Sequence, residues 1–404
     1  MKSLKHILTL IYIGVASLGW AQQPQKLSLE EYQRMDLERG KKNFRQFVQS
    51  MSDSSVVASD FVTIPYMDSL IDLSQFSNIR TVCLQNTQLE RLPEDFFKCD
   101  SLRGVIIERG NLKKISFPKD NHITDITLRE MQLDKIPKAI RRCKELEALN
   151  MDGNRLKRIP HWIKKQDRLK EIVLNNNQIR LRRSAIRRLS KIEKVQLGAN
   201  GIDRLPGNIG RLQAKYLNLG RNHISDVPAS FARLEGLKQV IFYENEFDEI
   251  PEEIAKLTQL EELDFYKNHI KEIPKFVGSL ENLTRLFLSY NEIKTVPDTI
   301  RNLKHLRYFY IHHNKLNFLP TWITEMDSIQ RLGISHNHLL ELPDLSKMTS
   351  LEELDFEVNE ISVFPWKLLE MPNLNVLIVR DNPFVLTKEE REALDCVTRP
   401  QLIY

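Results

Sequence analysis

Residues 260–274 read LEELDFYKNHIKEIP, and the same phrasing returns as LTRLFLSYNEIKTVP at 283–297 and as LRYFYIHHNKLNFLP at 306–320. Apolar residues hold positions 1, 4, 6, 11 and 14 of each line, Asn stands at position 9 and Pro at position 15. Apolar positions 4 and 6 alternate with polar neighbours, which puts one side of a short strand in a core and the other in solvent. Proline cannot donate a ladder hydrogen bond, so it turns the chain away from the strand.

Working outward, fourteen such units start at Ile79, Leu102, Ile123, Leu146, Leu169, Ile192, Ala214, Leu237, Leu260, Leu283, Leu306, Ile329, Leu351 and Leu374. Ten of the thirteen spacings are 23 residues, and the others are 21, 22 and 22, so a repeat architecture is in register from end to end. Two further apolar slots, Ile254 and Leu257 in one repeat, close each coil on its far side. A single coil cannot bury itself, and stacking makes the core. The amide at position 9 both donates and accepts where the bend leaves backbone groups unpaired. Eleven consecutive repeats carry it, from Asn154 to Asn382, while the first three have Thr87, Gly110 and Met131. Repeat 5 departs with Arg182 and Arg183 in place of the apolar residue and Pro.

The pattern LxxLxLxxNxLxxLP resembles the leucine-rich repeat family in its 23-residue form, over residues 79–386. The resemblance implies an α/β leucine-rich repeat solenoid, a right-handed curved coil with parallel strands on a concave face and short helical or irregular convex segments. It also implies that the concave face binds another macromolecule. Fourteen strands at ~4.8 Å make a ladder roughly 65 Å long.

The ends read differently. Lys2, Lys5 and His6 precede an apolar run at 7–20, and Gly19 and Ala21 place small residues three and one before a cut, as a secretory leader requires. Residues 1–21 are therefore expected to be a signal peptide and the chain to be secreted or periplasmic, with no transmembrane span once the leader is gone. Residues 22–78 are expected to form a helical cap, opened by the capping-box signature at Ser28 and Glu31, and a degenerate first coil. Residues 387–404 form the carboxy-terminal cap, with a second capping box at Thr387 and Glu390.

Four cysteines in an exported chain invite a disulfide reading. Cys99 and Cys143 share position 21 of repeats two apart, roughly 10 Å, which is too far for a bridge. Cys83 is placed on the exposed strand face and Cys396 in the last helix, and all four are expected to be free thiols.

No P-loop, G-x-S-x-G or H-E-x-x-H occurs, and no catalytic residue or cofactor is expected. Some exported bacterial leucine-rich repeat proteins carry a carboxy-terminal ubiquitin-ligase domain with a cysteine nucleophile. Here the segment after the last repeat is below a domain's ~50-residue minimum, so Cys396 is not assigned that role. Candidate chemistry lies instead at strand positions 3, 5, 7 and 8, which face solvent in columns. In repeats 7 to 12 they collect Tyr216, Tyr243, Tyr266, Arg285, Phe287, Tyr290, Tyr308, Tyr310, His312, His313, Arg331 and His336, a composition typical of protein-binding hot spots. Gly333 beside Tyr310 is expected to leave a notch for a partner's anchor. His313 and His336 share a column, but no third ligand is evident and no metal site is assigned.

Charge is segregated. The 59 Lys and Arg nearly balance the 54 Asp and Glu overall, yet residues 134–194 hold 19 of the former and 7 of the latter. Arg141, Arg142, Lys157, Arg158, Arg182, Arg183, Arg187 and Arg188 fall on turns and the convex edge of repeats 3 to 5, an alternative site for polysaccharide or an anionic envelope surface. Nucleic acid is not an expected partner, because the leader directs the chain outward and no aromatic platform lies among these residues.

Overall fold

The computed structural model of the protein describes residues 60–403 apart from 65, 68, 72 and 74–77, together with positions 38, 39, 42 and 46. The expected leader and most of the expected amino-terminal cap lie outside the described residues. The four isolated positions fall within the stretch read as a capping helix and are helical.

Sixteen strands form one sheet in strict chain order, each parallel to the next. Equal repeat positions pair, so that Glu262, Arg285, Tyr308, Arg331 and Glu353 follow one another across five strands. Below the sheet, Leu260, Leu263, Phe265 and Ile270 are fully buried and Ile273 is 4% exposed. Each such side chain contributes about 1.5–3 kcal/mol of burial free energy, and only the neighbouring coils make that burial complete. The fold is the expected leucine-rich repeat solenoid.

The position-9 amide joins coils as well as capping its own bend. Asn268 Nδ2 donates to the carbonyls of Phe265 (3.1 Å) and Tyr266 (3.3 Å) in its own repeat and of Phe242 (3.0 Å) in the preceding one. Its Oδ1 accepts the N–H of Phe247, also in the preceding repeat, at 3.1 Å. Asn291 and Asn314 repeat the arrangement one and two coils later. In repeat 1 the buried Thr87 stands in, its hydroxyl donating to Met67 O and accepting from Leu89 N.

Just before this residue, position 8 has positive φ in every repeat, from Asn86 at 49° to Asp381 at 53°. Only Gly153 among these fourteen is a glycine. The left-handed conformation costs an L-residue roughly 1–2 kcal/mol, so stacking and the amide ladder together hold the bend against its local preference.

On the convex side Pro introduces a short 3-10 helix in most repeats, as at Glu252–Lys256 and Lys275–Ser279. Two repeats depart. Repeat 5, lacking Pro, has the α-helix Arg183–Leu189. Repeat 2, two residues shorter than the rest of its neighbours, has a turn at 119–120 and no helix.

The sheet also reaches further than the repeats. Phe61–Ile64 adds a strand before repeat 1. At the other end the helix Lys388–Asp395 is capped reciprocally by Thr387 and Glu390, and the chain then returns as Gln401–Ile403 to pair with Val376–Ile378. That last strand has no repeat signature in the sequence. All four cysteines are free. Cys143 is fully buried, and its thiol is pushed up to about 12 by burial. Cys99 is only half-buried, and Cys83 corrects the expectation of exposure: it faces the solvent side of its strand yet is 6% exposed, and burial raises it to about 11. Among the described residues no helix is long and apolar enough to cross a membrane.

The amide ladder makes a direct prediction. Asn268→Ala strands the Phe247 N–H and takes one of two donors from each of three carbonyls, and should lower stability by about 2 kcal/mol in urea denaturation followed by circular dichroism. Asn268→Asp should be at least as damaging at neutral pH, because a carboxylate cannot donate to carbonyls. A loss below about 0.5 kcal/mol for either variant would remove the ladder from its structural role.

Candidate functional site

Strand positions 3, 5, 7 and 8 of repeats 7 to 12 come together on the solvent side of the sheet. Phe309 and Ile311 point into the core, while Tyr308, Tyr310, His312 and His313 are half-buried on the outer side. The parallel register places Phe287 beside Tyr310, and their rings stack at 5.6 Å and 9°. Tyr266 meets Tyr290 edge-on at 5.1 Å.

Position 8 carries the densest contact. Tyr290 stacks on His313 at 3.8 Å, and His313 stacks on His336 at 3.7 Å. The positive φ at these residues is common to all fourteen repeats, Ala199 and Val358 included, so it belongs to the scaffold and not to the site. His312 lies across the stack, its Nδ1 3.0 Å from Nδ1 of His313. One of these nitrogens must carry the proton and the other accept it, so the two rings cannot both be cationic without breaking the contact. Burial, with His313 and His336 adding to it, pushes His312 down to about 4. His313 is lowered for the same reason, burial first and His336 second, with Glu357 opposing. Among the described residues no group of three or more His, Cys, Asp or Glu is arranged to hold a metal ion.

The arginines of the site are already engaged. Arg285 pairs with Glu262 at 2.6 Å, and Arg331 lies over the Tyr308 ring at 5.7 Å with Glu353 3.5 Å away. Gly333 does not leave the expected notch. A Cβ there would meet Tyr310 Cδ1 at 2.6 Å, so the tyrosine ring fills the space that the glycine vacates. Gly220 does the same for Tyr243, whose ring would lie 2.3 Å from an added Cβ. These glycines seat the tyrosines and are not pockets.

Sequence reasoning missed the carboxylates beneath the aromatic residues. Asp264 Oδ1 accepts the N–H of Tyr266 at 2.8 Å, and Asp355 accepts from Glu357 N at 3.1 Å and from the Ser335 hydroxyl at 2.8 Å. Asn150 and Asn218 make the same bond from position 5. The signal was therefore present, as Asp or Asn two residues before the N–H that it accepts. Burial drives the Asp264 carboxyl up to about 7, against the Tyr266 N–H that favours its charged form, and raises Asp355 as well.

The basic edge is a separate surface. Arg141, Lys157, Arg158, Arg182, Arg183 and Arg187 are exposed. Arg142 and Arg188 differ from them in having structural partners: Arg142 pairs with Glu94 and donates to Phe117 O, and Arg188 donates to Ile159 O. Those two are anchors of the coil first, with only part of their hydrogen-bonding capacity left for a ligand.

The profile of the family described as leucine rich repeat matches residues 258–316 and 281–339. With the repeats and the continuous sheet, this supports a leucine-rich repeat family. Among solved structures it is similar to a leucine-rich repeat protein of Leptospira interrogans, with 24% identity, 88% of this chain and 98% of that one covered, and a TM-score of 0.71. An internalin, InlF, from Listeria monocytogenes is similar at 16% identity, with 91% and 94% covered and a TM-score of 0.57. The plant peptide hormone receptor RGFR1 in complex with RGF2 is similar at 22% identity, with 78% and 50% covered and a TM-score of 0.54. No curated protein matches the sequence. These likenesses establish the fold, and the family is in general one of non-catalytic interaction scaffolds.

The site's titrations carry opposite signs. Asp264 is raised from 3.8 to about 7, so the folded state holds the proton more tightly and stability falls as pH rises from about 4 to about 7. Asp264→Asn keeps the bond to Tyr266 N and should be more stable than the parent above pH 7, by roughly 2–4 kcal/mol, with the advantage gone below about pH 4. His312 is lowered from 6.5 to about 4, so its contribution is intact above pH 6.5 and is lost as pH falls toward 4. Melting curves of parent and variant from pH 4 to 8 test both, and a pH-independent difference for Asp264→Asn would refute the assignment.

Proposed function

We propose that the chain is a non-catalytic recognition protein that holds a protein or peptide partner on the strand face of repeats 7 to 12. The observation that carries this reading is the continuous array of Phe287, Tyr310, Tyr266, Tyr290, His312, His313 and His336 in mutual ring contact on the solvent side of the sheet. Rings already packed against one another lose little freedom on binding and offer apolar area with polar edges, which suits a peptide chain better than a highly charged ligand. The likeness to a peptide hormone receptor supports a peptide-sized occupant. Residues 1–21 support export, to the periplasm or beyond the cell.

A second reading rests on the exposed cations of repeats 3 to 5, which suit an anionic polysaccharide or envelope surface through screened, long-range attraction. The two readings separate cleanly by experiment. With a partner isolated by cross-linking to the native chain, Phe287→Ala combined with Tyr310→Ala should weaken binding by about thirtyfold or more, while circular dichroism stays unchanged. Binding that survives the double variant ends the strand-face reading. Binding that disappears in moderate salt and on Arg182→Glu with Arg183→Glu assigns the partner to the basic edge instead.

A further inference from the structure

Repeat 2 is the shortest unit of the solenoid. From Leu102 to Ile123 it spans 21 residues, and a turn at 119–120 replaces the convex helix. The helices on either side, Glu94–Phe97 of repeat 1 and Lys138–Arg142 of repeat 3, therefore lack the intervening element. Arg142 reaches across the gap to Glu94 at 2.7 Å, although the two are 48 residues apart. Elsewhere the ion pairs between coils join residues one repeat apart, such as Lys315 with Glu292.

Beside this gap, on its repeat 2 and 3 side, lies a depression of about 410 Å³ lined by Lys119, Lys138, Arg141, Arg142 and Lys144. Every lining residue is cationic. Apart from Arg142, none of them has a carboxylate partner among the described residues. Glu94, Asp100 and Asp120 line an adjoining depression that shares Lys119 and Arg142, and Glu94 is already committed to Arg142. Four cations without an ion-pair partner among the described residues thus share one depression beside the gap, with Asp100 and Asp120 in its neighbour, and like charges so placed repel one another.

We propose that this depression binds a compact ligand carrying two phosphate monoesters. The charge arithmetic favours that chemistry. Each monoester carries about −1.5 to −2 at neutral pH, so two supply roughly −3 to −4, matching the four unpaired cations with only two groups. Arg141 provides a planar fork for bidentate contact with phosphate, and the three lysines act as point charges around it. The site lies on the convex side of repeats 2 and 3, is independent of the strand-face reading, and is narrower than a diffuse basic edge.

The test uses the full chain, isothermal titration and fructose 1,6-bisphosphate as probe, with fructose 6-phosphate for comparison. The bisphosphate should bind at least about tenfold more tightly than the monophosphate, and the difference should shrink between about 50 and about 500 mM salt. Lys138→Glu with Arg141→Glu should reduce bisphosphate affinity at least about tenfold, and both positions are exposed, so the coil is preserved; Arg142 is left alone because it bridges the gap. Lys294→Glu with Lys304→Glu, an equal charge change far along the chain, should leave affinity unchanged. Equal affinity for the two sugars, or an equal loss with the Lys294 and Lys304 pair or with Arg182→Glu and Arg183→Glu, would overturn the site in favour of a general field. Vesicles of phosphatidylcholine with and without phosphatidate then identify the source. Phosphatidate-dependent binding that the bisphosphate displaces assigns the site to lipid headgroups, and bisphosphate binding without vesicle binding assigns it to a soluble ligand.

Discussion

The asparagine side chain at position 9 is the constraint on which the molecule depends. Each one satisfies carbonyls of two consecutive coils and accepts an N–H from the earlier of them. Without it the N–H would lie buried and unpaired, at a cost of about 1–3 kcal/mol, and each carbonyl would lose one of its two donors. Because the amide ties one coil to the next at a fixed offset, it also sets the register. A slip of one residue would exchange the core and solvent faces of every strand. The hydrophobic slots drive the stacking, and the amides decide which stacking occurs.

That fixed register is what turns scattered aromatic residues into a surface. Strands in a sheet lie ~4.8 Å apart, yet the rings of Tyr290, His313 and His336 are 3.7–3.8 Å apart. The side chains lean together on the outer side, helped by the shared left-handed bend at position 8, which sends them all in one direction. Glycine at Gly220 and Gly333 completes the packing by giving Tyr243 and Tyr310 room to lie flat. The shifted titrations of the half-buried His312 and Asp264 are consequences of that close packing, since both lose water that would favour their charged forms.

The repeats themselves were legible because a strict period leaves each core slot and each Asn in view, and every one of the eleven asparagines does bind backbone as its spacing implies. What the sequence concealed depends on three-dimensional neighbours. Gly333 reads as an empty position until Tyr310 is seen lying over it. Cys83 has the alternation of an exposed residue but is covered in the fold. Gln401–Ile403 carries no repeat motif, and only its pairing with Val376–Ile378 makes it a strand. Arg142 looks like one more surface cation, whereas its partners lie one and two coils away in Phe117 and Glu94. The left-handed bend was likewise invisible, because most residues that adopt it, such as Lys267 and Val358, show no preference for it.

A solenoid distributes stability along its length, and each coil depends mainly on its two neighbours. Two residues can therefore be missing from repeat 2 without disturbing the register of repeats 7 to 12, and the gap they leave is bounded locally by Glu94–Phe97 and Lys138–Arg142. In a compact domain the same deletion would open a hole in a shared core, at a cost that grows with the cavity. Here the loss falls on the convex rim, where the Arg142–Glu94 pair spans it and the remaining cations turn toward solvent. The scaffold thus tolerates a shortened coil on its convex side while an unbroken aromatic row forms on its strand face, and the separation of the two along the chain leaves either free to be occupied without the other.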